Sequence, residues 1–158
     1  MNFTLARVDE RLAHGQIITS WTKYLGVSTI WIVDDQICKD DFMKQVLQLS
    51  APSGIKIEIY SVQQAVDKAE QEKDSSAKVL LLLFKRIQYV LDAVKQGLDI
   101  KEVNLGNLGS LAGRKSISKN VNLNPAEIEM VKELMEKGLT VYLQMLYTDS
   151  KVDIKNMI

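Results

Sequence analysis

The stretch Val79-Leu80-Leu81-Leu82-Leu83-Phe84 is apolar at every position and stops abruptly at Lys85-Arg86. A run this short and this continuous marks a central parallel strand buried on both faces, and it is far too short to cross a bilayer. Working outward, helical periodicity over residues 86–96 ends at Gly97, a strand follows at 102–105, and Gly106-Asn107-Leu108-Gly109 opens a polar loop reaching Asn120. Asn124-Pro125 has the cap and first-turn residues of a helix running to Lys137, and residues 140–146 read as the last strand. Towards the N-terminus, strands at 55–60, 29–33 and 3–8 alternate with helices at 61–72, 40–49 and 15–24; Ala51-Pro52-Ser53-Gly54 is a breaker. Alternation from end to end predicts an α/β fold: a single domain spanning residues 1–158, an open, mainly parallel β-sheet with helices on both faces.

Composition narrows the function classes. Twenty basic residues balance 20 acidic ones, which argues against nucleic acid as the main partner, because phosphate neutralisation normally demands a basic excess. Cys38 is the only cysteine, so neither an intrachain disulfide nor a multi-cysteine metal site is expected, and a reducing, cytoplasmic setting fits. Arg7, Asp9, Glu10 and Arg11 interrupt any leader-like segment at once.

In an open α/β sheet, ligands gather at the carboxyl ends of the strands, where helix N-termini offer free N–H groups. Three loops compete for that edge: residues 9–16, 34–40 and 106–115. The first holds the only histidine, His14, three residues after Arg11 and just before Gly15. A neutral imidazole can attack phosphorus with one nitrogen if an acceptor, such as Asp9, Asp34 or a backbone carbonyl, holds the other. Arg11 offers a planar fork suited to phosphate oxygens, and the following helix adds its positive dipole end. Equally, His14 can be an ordinary loop residue, with Arg11 simply paired to Asp9 or Glu10. In the second loop, Asp34 and Asp35 with Asp40 and Asp41 read more readily as helix-start charges than as a cation site. The third loop lacks the glycine and lysine spacing of the nucleotide motifs, although Lys85-Arg86, Arg114 and Lys115 supply cations on that edge. Cys38 reads as a half-buried, unreactive thiol.

The run Arg7-Val8-Asp9-Glu10-Arg11-Leu12-Ala13-His14-Gly15-Gln16 resembles the Arg-x-Asp-[Asp/Glu]-Arg-Leu-x-His-Gly-Gln signature of enzyme IIB in the mannose/fructose/sorbose class of sugar phosphotransferase systems. Trp31-Ile32-Val33-Asp34-Asp35, Ala51-Pro52-Ser53-Gly54, Val103-Asn104-Leu105-Gly106 and Gly113-Arg114-Lys115 are similar to later family segments. The resemblance implies a cytoplasmic phosphotransferase, often dimeric and peripherally associated with a membrane permease. It implies that His14 becomes a pros-phosphohistidine by taking the group from phosphorylated IIA, then passes it to a sugar held by IIC and IID. Arg11 then binds the phosphate, with Asp9, Gly15, Gln16 and Asp34 supporting, and neither metal nor organic cofactor is needed. The residues alone also fit a non-catalytic module binding an anion or phosphosugar. One departure is Gly106-Asn107-Leu108, where family members often have Gly-Gly-Met.

Overall fold

The computed structural model describes residues 2–75 and 79–158. In chain order its elements are β1 (Asn2–Asp9), α1 (Gly15–Leu25), β2 (Thr29–Val33), a 3-10 turn at Ile37–Lys39, α2 (Asp41–Leu49), β3 (Lys56–Tyr60) and α3 (Val62–Gln71). There follow β4 (Val79–Phe84), α4 (Ile87–Lys95), β5 (Glu102–Asn107), β6 (Lys115–Ser118), β7 (Val121–Leu123), α5 (Pro125–Glu136), β8 (Thr140–Leu143) and β9 (Val152–Asp153). The main sheet runs β3-β2-β4-β1-β5-β8-β9, parallel except for β9 against β8, while β6 and β7 form a separate antiparallel hairpin. This is the α/β architecture that the sequence pattern predicts.

The apolar run earns its central place by serving two cores. Leu80, Leu82 and Phe84 pack with residues of α3, α4 and α5 on one face of the sheet. Leu81 and Leu83 point the other way, into a cluster with Ile18 and Trp21 of α1 and Leu47 of α2. Side chains alternate across a strand, so only a run apolar in both phases can be buried on both faces.

Local chemistry starts two of the helices firmly. Ser61 with Gln64, and Asn124 with Glu127, make reciprocal capping boxes, and Pro125 occupies the first turn of α5. Asn124→Ala removes the acceptor of the Glu127 N–H and is expected to cost about 1 kcal/mol. Thermal unfolding should register it as a Tm lower by about 3 °C.

Two stretches differ from the sequence reading. Residues expected to form one polar loop to Asn120 instead continue β5 to Asn107, bury Leu108, and fold back as the β6–β7 hairpin. That hairpin is short and its apolar contacts are few: Ile117, Val121 and Leu123 turn inward among Ser, Lys and Asn. Its register comes from tertiary bonds, Leu108 N–H to Asn120 O and Asn122 N–H to Leu108 O, both 2.9 Å. The last parallel strand ends at Leu143 rather than at residue 146, because the next two carbonyls, of Gln144 and Met145, turn to accept from Arg7. Among the described residues, no helix is long and apolar enough to cross a membrane.

Candidate functional site

The loop between β1 and α1 is held from below. Arg7 lies in β1 beside β5 and is buried to 1 % exposure. Its guanidinium donates to Asn104 Oδ1 (2.6 Å), Gln144 O (3.0 Å), Met145 O (2.9 Å) and Asp9 Oδ2 (3.2 Å). The Trp21 ring lies 5.0 Å from the guanidinium carbon. Burial pulls the Arg7 pKa below the ordinary arginine value and Asp9 pushes it back, which is why a buried cation here needs a carboxylate. Gly106 supplies the room, since a Cβ at that position would sit 2.2 Å from the Arg7 guanidinium carbon.

Asp9, at 2 % exposure, hands this order on to the surface. Its Oδ1 accepts from the Arg11 backbone N–H (2.9 Å) and Nε (3.0 Å), and its Oδ2 accepts from Arg11 Nη2 (2.9 Å). The Arg11 side chain, 29 % exposed, is therefore gripped fork to fork. Among the described residues Nη1 has no partner, and that edge of the fork remains for a ligand. Asp9→Asn keeps the shape but weakens both arginine contacts, and is expected to cost about 2 kcal/mol. Chemical denaturation of the two proteins would measure it.

The next residues are split between core and solvent. Leu12 and Ala13 are buried in the core beneath α1 and α2, whereas His14 and Gly15 are exposed. The chain turns through a left-handed Leu12 (φ 53°), with His14 N–H bonded to Leu12 O at 2.9 Å, and then through Gly15 (φ 55°). A non-glycine residue in that region is uncommon, and burial of the Leu12 side chain holds it there. His14 is the N-cap residue of α1 and makes no side-chain capping bond, and the first turn of α1 carries no acidic residue. The imidazole thus stands free at a positive helix end.

The structure brings Asp9 and Arg11 together and places both on the His14 loop. Of the acceptors that the sequence offers for the imidazole, neither Asp9 nor Asp34 hydrogen-bonds it among the described residues. Asp9 is taken by the two arginines. Asp34 Oδ1 accepts from the N–H groups of Gln36 (2.9 Å) and Ile37 (2.8 Å), turning the chain after β2. Asp35 accepts from Val62 N–H, and Asp40 caps α2 by accepting from Met43 N–H, so these acids serve turns and helix starts. Gln16 adds its backbone to α1, and its side chain lies outside the described residues. The Cys38 thiol donates to Asp35 O, and burial with Asp35 nearby pushes its pKa up, away from thiolate chemistry.

Arg114 is a structural tie as well as a cation on the edge. Its guanidinium grips Glu127 at 3.0 and 2.9 Å, Glu10 at 2.6 Å and Gly109 O at 2.9 Å. Glu10 also accepts from Gly109 N–H. The first loop, the third loop and the start of α5 are thereby locked together. Sequence reasoning quoted Arg7 and Glu10 within the run but gave them no place in the site, and it passed over Glu127. The available signal was a charged residue inside a strand otherwise fit for burial, which is rare unless paired.

An open parallel sheet carries an exposed imidazole, a carboxylate-held arginine and a helix N-terminus at its carboxyl edge, an α/β arrangement with the parts to receive an anion. Residues 3–158 match the family described as PTS system sorbose subfamily IIB component. The sorbose-specific EIIB component of Lacticaseibacillus casei is 36 % identical over 154 residues, covering 98 % of this chain and 93 % of that protein. The mannose-specific EIIAB component of Escherichia coli is 31 % identical over 154 residues, 98 % of this chain and 47 % of that longer protein. The crystal structure of the IIBSor domain of the Klebsiella pneumoniae sorbose permease superposes with a TM-score of 0.93 at 32 % identity, covering 99 % of this chain and 96 % of that one. The chain belongs to this family of phosphotransferase-system IIB components, and it is a phosphotransferase.

Proposed function

We propose that His14 is the phosphoryl acceptor of this IIB component and that Arg11 holds the transferred group. The observation that carries the reading is an exposed imidazole without a hydrogen-bond partner among the described residues, on the same short loop as an arginine whose Nη1 has none among them either. In the first half-reaction an imidazole nitrogen of His14, the pros nitrogen, attacks the phosphorus of a phosphohistidine on IIA. The new N–P bond forms as the donor's N–P bond breaks, and the donor nitrogen keeps the electron pair. Nothing beyond positioning and charge neutralisation is required. Arg11 and the N-terminus of α1 meet the phosphoryl charge, Gly15 keeps the ring uncrowded, and Asp9 keeps Arg11 aimed. In the second half-reaction the oxygen of a sugar hydroxyl, presented by the membrane IIC and IID components, bonds to phosphorus as the His14 N–P bond breaks; the imidazole nitrogen keeps the electron pair and the hydroxyl proton passes to it or to water.

On this reading the protein is cytoplasmic, docks peripherally on the permease, and works as a homodimer. The exposed Phe42, Val46 and Leu49 of α2 form an apolar stripe at helical spacing suited to a second protein surface. The joined name of the E. coli mannose-specific EIIAB relative supports IIA as the donor. The test is incubation with a phosphorylated IIA protein followed by intact-mass measurement and peptide mapping. The expected product carries one acid-labile, base-stable phosphate on the peptide containing His14. A complex with the donor that leaves the mass unchanged would reduce the protein to an anion-binding module.

A further inference from the structure

The loops after β1 and β2 lead to α1 and α2 on one face of the sheet, while those after β4 and β5 lead to α4 and α5 on the other. Where they part, at the carboxyl edge between β1 and β4, lies a cleft of about 700 Å³. Its lining includes Glu10 and Gln36 on one side, Lys85, Arg86 and Tyr89 at the start of α4, and Asn124 at the start of α5. Neighbouring strands here send their helices to opposite faces, the arrangement at which open α/β folds take ligands, and the volume is that of a small-molecule site. A smaller depression lined by Arg11 and Leu12 shares Glu10, Gln36 and Lys85 with it as walls, so the cleft neighbours the loop that carries Arg11.

Three observations give the cleft a chemical preference. Tyr89 is only 8 % exposed, its ring packs in the core, and among the described residues its hydroxyl has no hydrogen-bond partner. The ring is anchored in the core while the hydroxyl reaches the solvent of the cleft, so it is a donor held in place that a ligand can meet. Lys85 and Arg86 have no ion-pair partner among the described residues. Arg86 is also the N-cap residue of α4 without a side-chain capping bond, and the first turn holds no acid. The acids on the walls are spoken for: Arg114 engages both Glu10 and Glu127. Asp34 and Asp35 lie near Tyr89 and, after burial, help to keep its phenol protonated and therefore donating.

We propose that this cleft binds a phosphate monoester of a sugar, the chemical class of the product of the phosphotransfer, and the proposal rests on that functional reading. Lys85, Arg86 and the open N–H groups of α4 take the phosphate, and the Tyr89 hydroxyl donates to it. The volume exceeds what a bare phosphate needs, and Gln36 and Asn124 on the lining are amide side chains able to meet hydroxyl groups.

The test is calorimetric titration of the whole protein with fructose-6-phosphate, free fructose and inorganic phosphate, with backbone amide shifts to locate binding. The phosphosugar should bind and shift the amides of Ile87, Gln88 and Tyr89. Inorganic phosphate should bind about tenfold more weakly, and fructose should give no signal. Lys85→Met or Arg86→Met should each weaken phosphosugar binding about tenfold, and Tyr89→Phe, which keeps the ring, several-fold. Unchanged affinity in Lys85→Met and Arg86→Met, shifts confined to other surfaces, or equal binding of inorganic phosphate would overturn the proposal. Repeating the titration on His14→Ala separates the two readings. Phosphosugar binding there, together with a wild-type protein that takes no phosphate from IIA, would reject the phosphocarrier reading and leave the cleft standing.

Discussion

His14→Ala is expected to take up no phosphate from phosphorylated IIA and yet to unfold at the wild-type temperature. The two halves of this result have separate causes. The imidazole is exposed and makes no capping bond to α1, so its removal takes nothing from the fold, and surface substitutions of this kind stay within about 0.5 kcal/mol. The chemistry, by contrast, has nowhere else to go, because the chain has no second histidine. Arg11→Lys should fall between the extremes, retaining uptake but slowing it roughly tenfold or more. Its charge survives while the planar fork that both grips Asp9 and reaches outward is lost. Rapid-quench labelling of the three proteins measures all of this. Wild-type labelling of the alanine variant would move the acceptor elsewhere, and an unaltered rate in the lysine variant would remove Arg11 from the site.

Much of the frame was open to reading because the deciding signals are local. The six apolar residues of β4 can only be a strand buried twice, and the caps at Ser61 and Asn124 bond within three residues of themselves. The His14 loop was legible too, through the run from Arg7 to Gln16. What escaped depends on residues far apart in sequence. The β6–β7 hairpin takes its register from Leu108, and β8 ends where it does because an arginine about 137 residues earlier claims the next carbonyl. Asp34 illustrates the opposite error. A carboxylate at a strand end looks like a partner for an imidazole on the same edge, but two backbone N–H groups two and three residues on reach it first. Short acidic side chains beside their own backbone satisfy turns before they serve sites. The resemblance to the IIB family carried information that spacing could not, namely that Arg7 is part of the signature, and the structure supplies a physical reason for its being there.

That reason makes Gly106→Ala the most destructive small substitution expected in the molecule. Gly106 is the extra residue where β5 slips register against β1, and its φ lies outside the left-handed region, so proximity to Arg7 rather than left-handed backbone is at stake. An alanine Cβ would lie 2.2 Å from Cζ and Nη2 of Arg7 and 2.6 Å from Nη1, far inside any tolerated contact. The guanidinium cannot yield cheaply, for it is fixed by Asn104, Asp9 and two carbonyls and stacked against Trp21. Overpacking of this kind alone costs about 1–3 kcal/mol. Displacing a buried cation from its carboxylate approaches the 3–5 kcal/mol typical of a broken buried pair. A loss of about 4 kcal/mol is therefore expected, read as a lower denaturation midpoint at unchanged slope. Any folded fraction should also transfer phosphate poorly, because the shift passes through Asp9 to Arg11. The decisive measurement is the double-mutant cycle with Arg7→Met. Removing the guanidinium removes the clash, so Gly106→Ala should cost at least 2 kcal/mol less in the Arg7→Met background than in the wild type, well above the ordinary limits of additivity. Equal costs in both backgrounds would mean that Gly106 is needed for some reason other than Arg7, and the chain of contacts from the sheet to the Arg11 loop would lose its first link.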